Sequence, residues 1–277
     1  MTSDIFCDRD GHRTWFKWHR GRRRASDPVF TGKRILEGMR EGASVEVDLV
    51  IHKERGFAVL HDERVDRETS GTGLVAELSA AELRLLRLRD NDGAPTNEPV
   101  MLLDDLATLM AASGAHKDAI LQLDYKQDAQ ALDAAAIRNF AGSVASVARH
   151  MILSSGDAEA VRILTGAAPD IRVGYDPCHD GAIEALATSK DYTGFVARAV
   201  DASPRAEMVY LAYPMVLAVL DDGFDMIGAF HAAGRTVDAY TVKAVTPETM
   251  RDVGRLIAQK VDQITTDDPE GLAKALA

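Results

Sequence analysis

Ser44-Val45-Glu46-Val47-Asp48-Leu49-Val50 reads as a strand, and Gly56-Phe57-Ala58-Val59-Leu60, ending in His61-Asp62, reads as its partner. Strand side chains alternate faces, so Glu46 and Asp48 point one way while Val45, Val47 and Leu49 point the other. The flanking residues are aliphatic or β-branched throughout, which marks neither face as solvent-like. Two acids held together out of water repel each other and shed charge unless a cation or donors stand between them. A divalent-metal site is therefore the first expectation, with a structural ion pair to a buried Arg or Lys as the plainer alternative. Only His52-Lys53-Glu54-Arg55-Gly56 joins the two strands. That is too short for a parallel crossover, so an antiparallel hairpin is predicted, with Glu46 roughly opposite His61.

Outward from this pair, strand and helix signals alternate. Residues 1–15 are polar and read as an irregular N-terminal extension, with Phe16-Lys17-Trp18 the first short strand. A helix is predicted over 29–42, stopped by Gly42. Ser79-Ala80-Ala81-Glu82 is a capping box opening a helix through Arg89, followed by a polar loop over 90–98 and a helix over 104–112. The strand over 119–126 contains Asp124 and Lys126 on one face, and 129–150 carries helical periodicity. Further strands are predicted at 151–154, 171–174, 208–211, 236–240 and 263–265. Thr246-Pro247 and Asp268-Pro269 read as N-caps followed by Pro at the first helical position. A length of 277 residues and this alternation predict one α/β domain over 1–277, an irregular (β/α)8 TIM barrel with an early hairpin-like strand pair.

A net charge of −11 argues against a general nucleic-acid binder, which needs an excess of Lys and Arg. The two cysteines, Cys7 and Cys178, have no zinc-site spacing and make no disulfide framework. No apolar run approaches ~18–20 residues, and the N-terminus lacks an apolar leader core. A cytoplasmic protein without stable membrane insertion is the expectation, and the sequence carries no signal for an oligomeric state.

In such a barrel the C-terminal strand ends gather in one mouth, where catalysis sits. In chain order those ends give His19-Arg20, Glu46 and Asp48, His61-Asp62, then Asp124 and Lys126. Oxygen ligands select a hard cation, Mg²⁺ or Ca²⁺. Two imidazoles beside it suit taking a proton from one oxygen and giving one to another. Arg20 and Lys126 supply positive charge where a phosphoryl oxygen becomes negative. The convergent reading is metal-assisted cleavage of a phosphodiester. The bland readings stand beside it: His19 as a surface histidine, Asp62 as a turn cap, Lys126 as a neutraliser of Asp124. Arg22, Arg23 and Arg24 are either a solvated run or a grip over the mouth for a second anion. His52, His116, His150, His179 and His231 fall on loops or helix ends and are expected at the surface.

Trp18-His19-Arg20-Gly21, Gly42-Ala43-Ser44-Val45-Glu46-Val47-Asp48, Val59-Leu60-His61-Asp62 and Val65-Asp66-Arg67-Glu68-Thr69-Ser70-Gly71-Thr72-Gly73 together resemble the glycerophosphodiester phosphodiesterase family. Leu123-Asp124-Tyr125-Lys126, Ile152-Leu153-Ser154-Ser155, Val237-Asp238-Ala239-Tyr240-Thr241-Val242 and the closing 261–269 stretch follow in the family's order. The resemblance implies that Glu46, Asp48 and Asp124 hold one divalent cation and that His19 and His61 are the acid/base pair. It also implies that Arg20 and Lys126 bind phosphate and that Tyr240 stands near the glycerol end of a small phosphodiester. Attack by a neighbouring substrate hydroxyl, giving a cyclic phosphate, and direct attack by water both stay open. So does a catalytically silent barrel that binds phosphorylated ligands. Four departures stand out. Residues 22–29 replace the usual Glu-Asn-Thr stretch, and Asp124 replaces Glu. Tyr240 and Lys243 replace Trp and Asn. The 90–98 loop is short and lacks aromatics, so the leaving alcohol is a polyol or sugar as readily as glycerol.

Overall fold

The computed structural model describes residues 2–3 and 5–277, with side chains from residue 5 onward. Its strands are β1 (Thr2–Ser3), β2 (Phe6–Arg9), β3 (His12–Trp18), β4 (Ser44–Ile51), β5 (Phe57–Val59), β6 (Arg87–Arg89) and β7 (Pro95–Pro99). They continue with β8 (Ile120–Tyr125), β9 (Met151–Ser154), β10 (Arg172–Tyr175), β11 (Met208–Ala212), β12 (Thr236–Val242) and β13 (Gln263–Thr266). Running β3, β4, β8, β9, β10, β11, β12, β13 and back to β3, eight strands close into a ring with every pairing parallel. Helices cover the outside, among them α1 (Gly32–Glu41), α2 (Ala80–Leu85) and α3 (Leu103–Ser113). The predicted (β/α)8 barrel is the fold.

All eight residues of β4 are buried. Val45, Val47 and Leu49 join the apolar cluster that contains Ile35 and Met39 of α1 and Leu103 and Leu106 of α3. The alternate residues, Glu46 and Asp48, face the barrel axis. One edge of β4 pairs with β8 from Ser44 to Leu49, while β3 occupies the other only at Ser44 and Val45. The freed edge then takes β5, antiparallel, from Leu49–Val59 to Ile51–Phe57. The early hairpin is thus real, and its ladder ends before it reaches Glu46 and His61. Thr246-Pro247 and Asp268-Pro269 open helices as predicted.

Three local expectations need correction. The 1–15 extension is not irregular: β2 and β3 pair antiparallel from Phe6–Trp15 to Arg9–His12, while Met1 and Asp4 lie outside the described residues. The turn is Asp10-Gly11, both at positive φ, a dipeptide that matches strand twist in a two-residue hairpin. Arg13 fixes the register by pairing with Asp8 at 2.8 Å and lying 3.6 Å over the Phe6 ring. The helix begun by the Ser79 capping box stops at Leu85, because 87–89 pairs antiparallel with 95–99 inside the stretch read as loop. The periodicity over 129–150 is interrupted. Asp128 caps a short turn and Asp133 caps a separate helix, Ala134–Val144, so each Asp restarts the chain.

Barrel interiors are usually filled by branched apolar side chains. Here the layer beneath the mouth is polar. Lys17, 1 % exposed, pairs with Asp238 at 3.1 Å, bonds Gln122 and lies 4.3 Å over the Tyr210 ring. Gln122 donates to Ser154 at 2.8 Å, and Ser154 donates to Asp124 at 2.7 Å. Gln263 and Thr265 each donate to Asp238 at 2.7 Å. A charge buried this deeply persists only when paired and hydrogen-bonded, and this ring meets that condition. It also gives the acids above it a rigid floor.

Candidate active site

The mouth is a cavity of about 380 Å³ lined by His19, Arg20, Glu46, His61, Asp124, Lys126 and Tyr240, among others. Every site residue expected from sequence lines it except Asp48, which lies just beneath with 1 % exposure. Carboxylate oxygens of Glu46, Asp48 and Asp124 fall within 4.8 Å of one another. Lys126 reaches into this cage, 2.8 Å from Asp48 Oδ1 and bonded to Asp124. Arg20 Nε stands 3.2 Å from Asp48 Oδ2, and the Arg20 backbone N–H donates to Glu46 at 2.7 Å. The ion-pair alternative is therefore realised around Asp48 alongside the cage.

Electrostatics separate the two β4 acids. Burial, then the adjacent Asp48 charge, pushes the Glu46 carboxyl well above the usual carboxylate range. Burial pushes Asp48 up as well, but Lys126 and then Arg20 outweigh it and hold Asp48 low. The Asp48 Oδ2 atom is buried and has no hydrogen-bond partner. Three hard oxygen donors within 4.8 Å, one of them ion-paired to Arg20 but without a hydrogen bond, fit a divalent cation. Glu46, Asp48 and Asp124 are the residues that would hold it.

Both imidazoles are anchored through Nδ1. His19 Nδ1 is 2.5 Å from Asp267 Oδ1, and His61 Nδ1 is 2.8 Å from Asp62 Oδ1. A carboxylate at Nδ1 favours the Nδ1–H tautomer, which leaves Nε2 as the acceptor. Burial lowers the His19 pKa, and the Asp267 hydrogen bond opposes it without cancelling it. Asp62 is not simply a turn cap. Arg67 grips it with Nε and Nη2 at 2.6 Å each, so the carboxylate holding His61 is itself held. Glu68, 4 % exposed, accepts from the backbone N–H of His61 and Asp62 at 3.0 and 3.3 Å, fixing the turn that presents the ring.

Several mouth residues were not singled out from sequence. Asp267 and Glu68 lie in stretches that resembled the family, but no local pattern distinguishes a carboxylate that orients a ring 248 positions away. His179 is exposed, as expected, with 48 % of its side chain accessible, and it also lines the cavity, with Nε2 3.0 Å from Asp176. It packs on Gly156, where any added Cβ would meet the ring at 2.4 Å. The Asp176 hydrogen bond raises the His179 pKa against the effect of burial. Burial, then the nearby Asp176 charge, pushes the Tyr240 hydroxyl pKa up. His52, by contrast, is not the surface residue expected: it is 4 % exposed, folded under the β4–β5 turn, with burial lowering its pKa. The arginine run divides. Arg22 turns into the mouth, Arg23 pairs with Glu37 on α1, and Arg24, about half exposed, pairs with Glu270.

Among the described residues no helix is long and apolar enough to cross a membrane. The fold aligns with a glycerophosphodiester phosphodiesterase from Agrobacterium tumefaciens str. C58 at TM-score 0.66 and 21% identity, covering 94% of this chain and 99% of that one. It also aligns with an Oleispira antarctica phosphodiesterase solved with the product sn-glycerol-3-phosphate, at TM-score 0.65 and 19% identity, covering 94% and 96%. A curated relative, YhdW of Bacillus subtilis (strain 168), is 43% identical over 42 residues, 15% of this chain and 17% of that protein. The matched stretch thus spans only a small part of that relative's length. The model of the glycerophosphoryl diester phosphodiesterase family matches residues 35–271, a stretch that contains Glu46, Asp48, His61, Asp124 and Lys126 and begins after His19 and Arg20. The match covers most of the chain, and the chain belongs to the glycerophosphoryl diester phosphodiesterase family.

Proposed function

We propose that this protein hydrolyses a small phosphodiester of glycerol or a related polyol to a phosphomonoester and an alcohol, with one divalent cation, Mg²⁺ or Ca²⁺, as cofactor. The observation that carries the reading is one 380 Å³ mouth where three carboxylates lie within 4.8 Å beside two imidazoles anchored at Nδ1. Family membership and a structural relative holding sn-glycerol-3-phosphate support the substrate class.

The cation, held by Glu46, Asp48 and Asp124, would supply positive charge against the phosphoryl oxygens. Arg20 and Lys126 bind the phosphate and keep their charge there as the transition state spreads negative charge over its oxygens. The free Nε2 of one imidazole takes the proton of the attacking water, or of a substrate hydroxyl whose cyclic phosphate a water then opens, and the other imidazole delivers a proton to the departing alcohol oxygen. Asp267 and Asp62 hold the rings and stabilise each imidazolium as it forms. Tyr240 packs against the alcohol portion.

The test is a panel of glycerol and sugar phosphodiesters, assayed with and without EDTA and followed by phosphorus NMR. The expected result is cation-dependent release of a phosphomonoester, lost in His61→Ala with fold and metal binding intact. A cyclic phosphate as the final product assigns the lyase route instead. Calorimetric binding of the diester without turnover in saturating Mg²⁺ or Ca²⁺ overturns catalysis.

A further inference from the structure

The cations of the mouth are not all committed. Lys17 is paired with Asp238, and Arg20 and Lys126 stand on the acid cage, the side of the cavity assigned above to the phosphodiester. Two others line the same cavity with capacity left over, Arg22 and Lys243. Arg22 is 14 % exposed and among the described residues has one ion-pair partner, Asp267 Oδ1 at 3.0 Å, and that oxygen already holds His19 Nδ1 at 2.5 Å. The Arg22 Nε atom is buried with no hydrogen-bond partner.

Lys243 stands one residue beyond β12, exposed at the rim, and among the described residues it has no ion-pair partner. Strand pairing brings the two cations together. Val242 is opposite Thr266, and the Asp267 N–H donates to the Val242 carbonyl at 3.1 Å, so Lys243 flanks the segment that Arg22 touches. The other acids of this rim are engaged away from the cavity: Asp268 caps the Pro269–Leu276 helix through Gly271, and Glu270 pairs with Arg24 and Lys274. A guanidinium lining the cavity and an exposed ammonium on the same rim fit a planar or tetrahedral oxyanion.

Building on the phosphodiesterase reading, we propose that Arg22 and Lys243 form a second anion subsite that selects diesters whose leaving alcohol carries its own carboxylate or phosphate. The phosphodiester occupies the Arg20 and Lys126 side of the cavity, and the second anion sits between Arg22 and Lys243. Both residues belong to stretches where the sequence departs from the family pattern.

The experiment compares kcat/KM for glycerophosphoglycerol, glycerophosphoglycerate and glycerophosphoglycerol phosphate, whose leaving alcohols are neutral, carboxylate-bearing and phosphate-bearing. The ratio of an anionic substrate to the neutral one is the readout, because Arg22 also touches Asp267 and its loss alters the rate itself. Wild type should favour at least one anionic arm by about tenfold, the scale of one charge-assisted hydrogen bond; which arm wins identifies the group. Lys243→Gln and Arg22→Gln should each shrink the ratio, Lys243→Glu should push it below one, and added salt should compress it. A wild-type ratio near one, or a ratio unmoved in these variants, overturns the subsite. Hydrolysis of the neutral diester tests the phosphodiesterase reading separately. Calorimetry with glycerol 3-phosphate and glycerol 1,3-bisphosphate gives an arm without turnover. The bisphosphate should bind about tenfold tighter in wild type and lose that margin in Lys243→Gln; equal affinities in wild type reject the proposal.

Discussion

Lys126→Met removes the ammonium from the acid cage while keeping most of its stem. The charge lost lies 2.8 Å from Asp48 Oδ1 and is bonded to Asp124 as well. Asp48 is 1 % exposed, so water cannot take over. Glu46, Asp48 and Asp124, within 4.8 Å of one another, then keep Arg20 against Asp48 and the Ser154 hydroxyl on Asp124. Breaking a buried pair by removing one partner costs about 3–5 kcal/mol. Lys126 itself retains 23 % exposure, which places the expected loss at the lower end, about 3 kcal/mol. At roughly 2–4 °C per kcal/mol for a domain of this size, Tm in EDTA should fall by about 6–12 °C. A hard cation entering the cage reverses most of this, since saturation at about 100 Kd returns about 2.7 kcal/mol. The variant should also gain more from the cation than wild type does, because no ammonium competes with it for Asp48 and Asp124. Scanning calorimetry of both proteins, in EDTA and in saturating Mg²⁺ or Ca²⁺, reads all of this. A variant that melts with wild type in EDTA, or that ignores the cation, would show that these carboxylates do not act as one charged unit.

Three shorter predictions follow from other contacts. Asp267→Asn weakens the anchor of His19 and removes the charge that holds its pKa up against burial, so the pH–rate limb set by His19 should move to lower pH, with kcat/KM down roughly 10–100-fold; an unmoved profile would remove Asp267 from the positioning role. His179 has a raised pKa, so its stabilising contribution is complete below the ordinary imidazole value of about 6.5 and fades as pH rises through the folded value. His179→Gln should therefore lose Tm against wild type near pH 5.5–6 and match it in mild alkali, and a gap that stays constant with pH would contradict this. Gly38→Ala puts a methyl 2.6 Å from Val45 Cγ2 and 3.2 Å from Trp18 where α1 meets the barrel, so urea unfolding should show a loss of about 1–3 kcal/mol; a neutral variant would mean that this contact yields freely.

Much of the site was legible locally. Period-two alternation placed Glu46 and Asp48 on one face of a buried strand, and a five-residue connection forced the hairpin that carries His61. Once the strand ends are assigned, barrel geometry brings His19, Arg20, Asp124, Lys126 and Tyr240 into one cavity. The N-terminal hairpin was legible too, since Asp10-Gly11 is a hairpin signal, and polarity masked it only because β2 lies outside the closed ring. The break at Asp133 could also be read, as a capping residue inside an apolar period.

The partners could not be read this way. Asp267 meets His19, Lys17 meets Asp238, and Asp176 meets His179, and the first two pairings cross more than two hundred positions. Sequence determined which residues face the barrel axis, because facing is a property of backbone period. Only the closed barrel decided which of those charges touch, and which, like Lys243, line the mouth without an ion-pair partner among the described residues. Pairing depends on distances between strands that the chain connects last, and those distances are set when β13 meets β3 and the ring closes.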